Sequence, residues 1–244
     1  AMMQQIIGEA WFKPKAVVGF FGASRQGDDI KLDTGEVLHT LRQQMPKTND
    51  KANFAMADFI GDGGDHVGAF CVTAGPEADT IAKEFEEKGD DYSAIMVKAL
   101  ADRFAEAAAE YMHWRTRTEF WAYAKDETLS NDDLIKERYQ GVRPAPGYPS
   151  QPDHTEKETL FRLLDCEKNI GVGLTSSFAM YPAASVSGLY FSHPESVYFA
   201  VGRIARDQVA DYANRKGWDM RTAERWLAPI LNYDPFEVVD VAAE

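Results

Sequence analysis

KAVVGFF, residues 15–21, decides the fold class, because it is a short apolar run rich in residues that favour β-strands. Two more β-prone segments follow it, at 29–32 and 37–39, and they flank a turn that contains Gly35. This pattern predicts a strand followed by a hairpin, with Gly35 at the turn position that needs a positive φ. A further β-rich segment at 66–74 continues this first group of strands.

The spacing of apolar residues changes after this group and becomes helical. Apolar residues then recur at three- and four-residue intervals: Val97, Leu100, Phe104, Ala108 and Tyr111. This spacing predicts a long amphipathic helix from 94 to about 124. Shorter helices are expected at 131–137, 155–169, 207–216 and 222–231. Ser130 or Asn131 would cap the first of them, and Thr155 with Glu158 forms a capping-box pattern at the second.

Two late alternating segments, 185–192 and 198–204, predict a second hairpin. Strands therefore cluster early and late, with helices between them. This order predicts an α+β fold in which a central twisted antiparallel sheet is flanked by helices. We expect residues 2–244 to form a single domain. Ala1 precedes two methionines, which is typical of a residue left by a tag, and we leave it out of the fold argument.

Composition narrows the function classes. Lys and Arg number 26 against 39 Asp and Glu, which gives a formal net charge of −13. Such a charge disfavours nucleic acid as a partner, because nucleic-acid-binding proteins carry basic patches. The sequence has no apolar stretch of about 18 residues and no secretion signal, so we expect a soluble cytoplasmic protein with no membrane contact. The two cysteines, Cys71 and Cys166, are typical of reduced structural thiols.

Standard catalytic motifs are absent from the sequence. It has no glycine-rich nucleotide loop, no zinc-protease helix motif and no nucleophile elbow. The five histidines are not spaced as metal ligands, and the loop 61–65 is typical of a surface turn rather than of a calcium loop. We therefore predict neither a catalytic residue nor a metal site.

A charged row lies along the long predicted helix, at Lys98, Asp102, Glu106 and Glu110. Its four-residue spacing is typical of a solvated charged face. Alternatively, Asp102 and Glu106 line a groove beside a neighbouring loop, where carboxylates receive hydroxyl or ammonium groups of a ligand. The spacing does not choose between the two interpretations.

A proline-rich loop, residues 143–152, is the most specific binding candidate. Its prolines stiffen the backbone, and Gly147 permits close approach of a ligand. Arg143 offers a fork for a carboxylate, and Tyr148 offers a ring for stacking. The alternative is a structural corner with Tyr148 packed inward. The aromatic residues nearby are more typical of a core or a sheet face: Tyr190, Phe191, Tyr198 and Phe199.

Taken together, these stretches resemble the C-terminal activation domain of cobalamin-dependent methionine synthase. The residues that carry the resemblance are the loop at 143–149 and the segments 27–30, 57–59, 98–103, 152–157, 177–180, 185–192 and 225–229. The resemblance implies that the chain binds S-adenosylmethionine and presents its methyl group to cobalamin (vitamin B12) on a neighbouring domain. It also implies a role in methionine biosynthesis, as the methyltransferase module that restores methylcobalamin from cob(II)alamin by reductive methylation, with an electron from flavodoxin.

The resemblance also implies site residues. The implied S-adenosylmethionine-binding residues are Glu106, Arg143, Ala145, Gly147, Tyr148, Tyr198 and Phe199. Arg143 would hold the methionine carboxylate, and Tyr198 with Phe199 would contact the nucleoside. Asp102 and Glu137 would lie near the cobalamin interface.

One departure from the family pattern lies at the N-terminus. Family members carry a helical segment before the first strand, with an aspartate that contacts S-adenosylmethionine, and no residue here matches that aspartate; Glu9 is a candidate substitute. The sequence contains no homocysteine, folate or cobalamin module, so the cobalamin is expected on a partner. Two alternatives stay open: a docking module that has lost S-adenosylmethionine binding, and a methyltransferase acting on a small molecule.

Overall fold

The computed structural model describes residues 2–47, 52–61 and 63–236. Ala1, Asp62 of the predicted surface turn and the end of the predicted domain lie outside these residues. The strands are β1 (Lys15–Gln26), β2 (Asp29–Leu32), β3 (Val37–His39), β4 (Asp65–Thr73), β5 (Gly173–Leu174), β6 (Met180–Tyr181) and β7 (Ser185–Tyr190). The helices are α1 (Met2–Gly8), α2 (Glu77–Glu87), α3 (Asp91–Arg115), α4 (Asn131–Ile135), α5 (Glu156–Leu164), α6 (Cys166–Ile170), α7 (Arg206–Lys216) and α8 (Met220–Leu227).

A five-stranded sheet in the order β3-β2-β1-β4-β7 forms the centre of the fold, and its neighbouring strands are antiparallel. The first hairpin is confirmed: β2 pairs with β3, and Gly35 in the turn has a φ of +99°. Strand β1 is long enough to pair with both of its neighbours, so that Ala23 lies opposite both Leu32 and Asp65. Helices flank this sheet, as the sequence predicted.

The second predicted hairpin is wrong. Strand β7 forms as expected, but residues 198–204 form no strand and make only a bridge from Ile204 to Leu231. The edge of β7 that a hairpin partner would need is already taken by the start of the proline-rich loop. The Leu189 N–H donates to the Pro144 carbonyl at 2.9 Å, and Val142 pairs with Phe191 through two bonds of 3.0 Å. The proline-rich loop therefore borders the sheet.

The long helix is confirmed, and its predicted apolar face is confirmed except at Tyr111. Helix α3 ends at Arg115 and continues into one wide π turn, Thr116–Phe120. Its buried face consists mainly of alanines: Ala94, Val97, Ala101, Ala105, Ala109 and His113. Alanine side chains are small, so this face packs closely: its first half against α1 and α2, and Ala109 against β4 and β7. Leu100, Phe104 and Ala108 are half-buried against the same clusters, whereas Tyr111 is exposed.

The capping-box prediction at Thr155 is also wrong. Thr155 has helical backbone angles and makes no side-chain cap; its hydroxyl donates to the Asp153 carboxylate at 2.8 Å. The predicted helix at 155–169 is two helices, α5 and α6, because Asp165 between them has a φ of +46°. At α4 the cap prediction is confirmed, since Ser130 and Asp133 form a capping box.

Both cysteines are buried in the core around β1 and β4 and carry free thiols, as predicted. A hydrogen bond from the Cys71 S–H to Cys166, together with burial, raises the pKa of the Cys71 thiol. Helix α1 shows that a helical segment does precede the first strand, and Ile6 fixes it in a core with α2 and α3. Among the described residues, no helix combines the length and the apolar character that spanning a bilayer requires.

Candidate functional site

A cavity of about 440 Å³ opens where α3, the proline-rich loop and the segment after β7 meet. Its floor is formed by Phe70 of β4 and Val186 of β7. The remaining lining residues are Glu106, Glu137, Arg143, Pro144, Ala145, Tyr148, Pro149, Ser150, Tyr198 and Phe199. The sheet thus provides a rigid floor, while one helix and two loops provide the walls.

Most of the sequence-predicted ligand residues meet at this cavity. The six that line it are Glu106, Arg143, Ala145, Tyr148, Tyr198 and Phe199. Gly147 lies on the other side of the loop and faces a second cavity of about 370 Å³. Of the two predicted cobalamin-interface residues, Glu137 lines the first cavity, whereas Asp102 is exposed one turn before Glu106 and outside the lining. The Glu9 carboxylate accepts from the Trp11 indole at 2.7 Å and does not line the cavity.

The proline-rich loop is rigid because its backbone is bonded at both ends. Pro144 is tied to β7, and the Gly147 N–H donates to the Gln151 carbonyl at 2.7 Å. Gly147 has a φ of +100°, and a Cβ there would lie 2.2 Å from a carbon of the His154 ring. Only glycine fits this position. Tyr148 is 58% exposed, so its ring projects outward rather than packing inward as the alternative interpretation required.

Arg143 is held on several sides. Its backbone N–H donates to the Tyr198 hydroxyl at 2.9 Å, and its guanidinium donates to the Tyr139 hydroxyl at 2.8 Å. The guanidinium also pairs with Glu110 at 2.7 Å. Burial disfavours the charge, but Tyr139 and Glu110 outweigh burial and raise the pKa of Arg143 above its ordinary value. The side chain is therefore a fixed, charged fork at the cavity wall.

The residues of the charged row along α3 lie in two different environments. Lys98 pairs with Glu86 of α2 at 2.8 Å in solvent, and Asp102 is exposed, as expected for a solvated face. Glu106 lies in the groove beside the proline-rich loop, and Glu110 contacts Arg143. Both interpretations of the row thus describe part of it.

Sequence reasoning missed several residues of the site. Phe70, Val186 and Ser150 line the cavity, and Tyr139 lies behind Arg143. A local pattern could have indicated Phe70 and Val186, because each lies in a strongly β-prone segment. Tyr139 carries no such signal, since its role depends on a contact that only the folded chain creates.

The charges of the cavity wall favour a particular ligand class. Glu106 and Glu137 add two carboxylates, while the charge of Arg143 is balanced by Glu110. A molecule with a carboxylate for Arg143 and positive charge for the glutamates would suit this wall. No group of three or more His, Cys, Asp or Glu residues that could hold a metal ion occurs within 2–47, 52–61 and 63–236.

A five-stranded α+β fold, with an acidic cavity and one half-buried arginine at the cavity wall, defines a domain suited to bind a small charged molecule. The chain matches the family model for the activation domain of vitamin B12 dependent methionine synthase over residues 1–217. It is also similar to a crystal structure of the MetH reactivation domain bound to AdoHcy. The two share 54% identity with a TM-score of 0.91, over 96% of this chain and 75% of that chain. The chain belongs to the family of vitamin B12 dependent methionine synthase activation domains, which confirms the resemblance and the predicted fold class.

Proposed function

We propose that this chain binds S-adenosylmethionine in the 440 Å³ cavity and supplies its methyl group for the reductive reactivation of cobalamin in methionine synthase. The observation that carries the proposal is the charged fork of Arg143, fixed at the wall of a cavity that Glu106 and Glu137 also line. S-adenosylmethionine has a carboxylate, an ammonium and a sulfonium, which match this arrangement of charge. The related reactivation domain bound to AdoHcy, the demethylated form of the same molecule, supports the ligand class.

The site residues take their roles from their places in this cavity and beside it. Arg143 binds the ligand carboxylate, and Glu106 faces the positive groups. Ala145 and Gly147 offer loop backbone, and Tyr148 offers its exposed ring. The nucleoside lies against Tyr198 and Phe199. Asp102 and Glu137 lie toward the partner that carries cobalamin.

The chemistry demands little of this chain beyond positioning. A sulfonium is an activated methyl donor, so neither a general acid nor a general base is needed, and the rate gain comes from orientation. Cobalamin carried by the partner would, when reduced by one electron, supply the nucleophile for the methyl group, and S-adenosylhomocysteine would be the leaving group. The residues of this chain hold the ligand at its carboxylate and at its nucleoside, and leave the sulfonium methyl group between them at the open mouth of the cavity.

The same proposal defines the partners and the setting. The chain acts as the reactivation domain of a methyltransferase, extends over 2–244, and is not active alone on homocysteine. It meets a cobalamin-binding domain or subunit, and flavodoxin or a similar one-electron donor provides the electron. The reaction takes place in the cytoplasm, without nucleic acid or membrane.

Calorimetric titration of S-adenosylmethionine into the purified chain tests the proposal, with S-adenosylhomocysteine as the comparison ligand. We expect saturable binding of one molecule per chain. Addition of a cobalamin-binding domain and a reductant should then give methylcobalamin only when S-adenosylmethionine is present. No heat and no competition at millimolar ligand would contradict the proposal and favour a docking module. Methyl transfer to a small molecule without a cobalamin partner would favour the other alternative.

A further inference from the structure

A buried pair of side chains, Tyr139 and His113, lies behind Arg143, and the function proposed above does not use it. Tyr139 is 8% exposed and His113 is fully buried. One terminal nitrogen of the guanidinium, Nη1, lies 2.8 Å from the Tyr139 hydroxyl and 3.3 Å from Nδ1 of His113. The pair therefore meets Arg143 from the side away from solvent.

The donors and acceptors of these groups show how the pair holds the guanidinium of Arg143. A guanidinium only donates, so the Tyr139 oxygen and Nδ1 of His113 both accept, and together they use both hydrogens of Nη1. Nδ1 accepts only when the ring is neutral and carries its proton on Nε2. Burial, then the nearby charges of Arg117 and Arg143, lower the pKa of His113 well below 6.5, which keeps the ring neutral.

The pair is itself held in place by its neighbours. The His113 ring stacks on Tyr190 with 5.1 Å between centroids and meets the Tyr139 ring edge-on at 5.0 Å. Arg117 lies 4.1 Å from the centre of the Tyr139 ring and is anchored to Glu127 by two bonds of 2.7 and 2.8 Å. Neither ring can turn without breaking these contacts, so the direction in which Nη1 donates is fixed.

The remaining donors of Arg143 then suit one carboxylate. A guanidinium has five N–H groups. Tyr139 and His113 use two of them, both on Nη1, and Glu110 forms an ion pair with Nη2 at 2.7 Å. The remaining N–H groups lie on Nε and Nη2, where a carboxylate can form a bidentate pair.

We propose that Tyr139 and His113 are positioning residues, which fix the guanidinium of Arg143 so that its remaining N–H groups meet the carboxylate of the bound ligand. This inference rests on the proposed function, in which that ligand is S-adenosylmethionine. It predicts that the pair acts on the ligand only through its carboxylate. Decarboxylated S-adenosylmethionine, which lacks that group, is therefore the diagnostic probe.

Tyr139→Phe tests the inference, because it removes one acceptor and keeps the ring and the charge. We expect S-adenosylmethionine to bind roughly tenfold more weakly, as for the loss of one hydrogen bond to a charged group. Decarboxylated S-adenosylmethionine should bind within about twofold of its affinity for the wild-type chain. Calorimetry with both ligands gives the two ratios.

Tyr123→Phe is the matched control. The Tyr123 hydroxyl is buried and has no hydrogen-bond partner within the described residues, so its removal frees no donor of Arg143. We expect this variant to bind both ligands as the wild-type chain does. As a second variant, His113→Asn keeps an acceptor near the position of Nδ1 and should retain more affinity for S-adenosylmethionine than His113→Leu.

The outcomes separate the inference from the function on which it rests. If the wild-type chain binds no S-adenosylmethionine, the proposed function fails. If the wild-type chain binds it, Arg143→Ala loses the preference for the carboxylated ligand and Tyr139→Phe behaves like Tyr123→Phe, only the positioning role is overturned. Equal weakening of both ligands by Tyr139→Phe would also overturn it, because a general structural defect does not depend on the carboxylate.

Discussion

At the scale of single residues, Arg143 is the side chain on which carboxylate binding depends. Arg143→Ala should weaken S-adenosylmethionine binding by about 1.5 to 3 kcal/mol, the usual value of a hydrogen bond to a charged group. Calorimetry measures this change. Arg138→Ala is the matched control, because Arg138 forms an exposed pair with Asp133 at 2.9 Å and does not line the cavity. Unchanged affinity in the Arg143 variant would contradict the assigned role.

His113 makes the stability of the domain depend on pH. Its pKa lies well below 6.5 in the folded chain, because it is buried beside Arg117 and Arg143. The unfolded chain therefore binds a proton near pH 6.5 that the folded chain does not bind. The contribution of His113 to the free energy of unfolding is fully present above pH 6.5. It is lost as the pH falls below 6.5, by up to about 1.4 kcal/mol per pH unit.

Denaturant unfolding between pH 7.5 and 5.5 measures this slope. His113→Asn cannot titrate, so its free energy of unfolding should fall less steeply than that of the wild-type chain over the same range. His154, whose pKa burial also lowers, is present in both proteins and adds equally to both slopes. Identical slopes would show that His113 protonates freely in the folded state.

Sequence reasoning reached the site residues that lie in one local motif. Arg143, Gly147 and Tyr148 stand within a few positions of each other in a stiff loop, and that proximity survives in any fold. The contacts behind Arg143 could not be predicted, because His113 and Glu110 lie on α3, some thirty positions before it. Their approach depends on how α3 packs on the sheet.

At the scale of elements, the proline-rich loop depends on Gly147. In Gly147→Ala the new Cβ would meet the His154 ring at 2.2 Å, at a φ of +100°. Both the steric overlap and the backbone strain should lower the free energy of unfolding and weaken S-adenosylmethionine binding, since the loop forms one wall of the cavity. Unfolding by denaturant and calorimetry measure the two effects.

Gly171→Ala separates strain from overlap. Gly171 ends α6 with a φ of +75°, and a Cβ there would have no atom within 4 Å. This control should lose only about 1 kcal/mol of stability and no ligand affinity. If both variants lose the same stability, the contact between Gly147 and His154 does not constrain the loop.

The elements themselves could be predicted where the pattern is local, and failed where a distant segment intervened. Alternation gave the first hairpin, whose strands are close in sequence. The segment 198–204 has the same character but forms no strand, because the backbone around Pro144 occupies the edge of β7. The apolar face of α3 was predicted without most of its alanines, because alanine contributes little to a hydrophobic pattern, yet small side chains allow close packing.

At the scale of the whole molecule, a buried ionic network joins the C-terminal helices to the site. Lys216 of α7 bonds Asp153 at 2.8 Å and Glu156 at 2.7 Å, and the Tyr212 hydroxyl donates to Asp153 at 2.7 Å. The other oxygen of Glu156 accepts from the His39 N–H of β3 at 3.1 Å. One cluster therefore connects the sheet, α5 and α7, directly after the proline-rich loop.

The two carboxylates of this network respond differently to the same lysine. Burial favours the neutral acid at both, and at Asp153 the charge and hydrogen bonds of Lys216 outweigh burial and lower the pKa. At Glu156, burial outweighs Lys216, and the pKa is raised. At each carboxylate the charge of Lys216 offsets the cost of burying a negative charge. Removal of the lysine therefore leaves two buried carboxylates without this cation.

Lys216→Met should therefore destabilise the folded chain by about 3 to 5 kcal/mol at neutral pH, the usual effect of breaking a buried ion pair. This loss of stability should become smaller toward pH 5, because the unpaired carboxylates become protonated and a neutral acid costs less to bury than a charged one. Lys168→Met is the control: the Lys168 side chain is 80% exposed in its pair with Asp165, so the change should stay within about 1 kcal/mol. Denaturant unfolding at both pH values gives these free energies. If the two variants match, Lys216 does not anchor α7, and the segment 153–156 after the proline-rich loop is held by packing and by the hydrogen bonds of Asp153 with Thr155 and Tyr212.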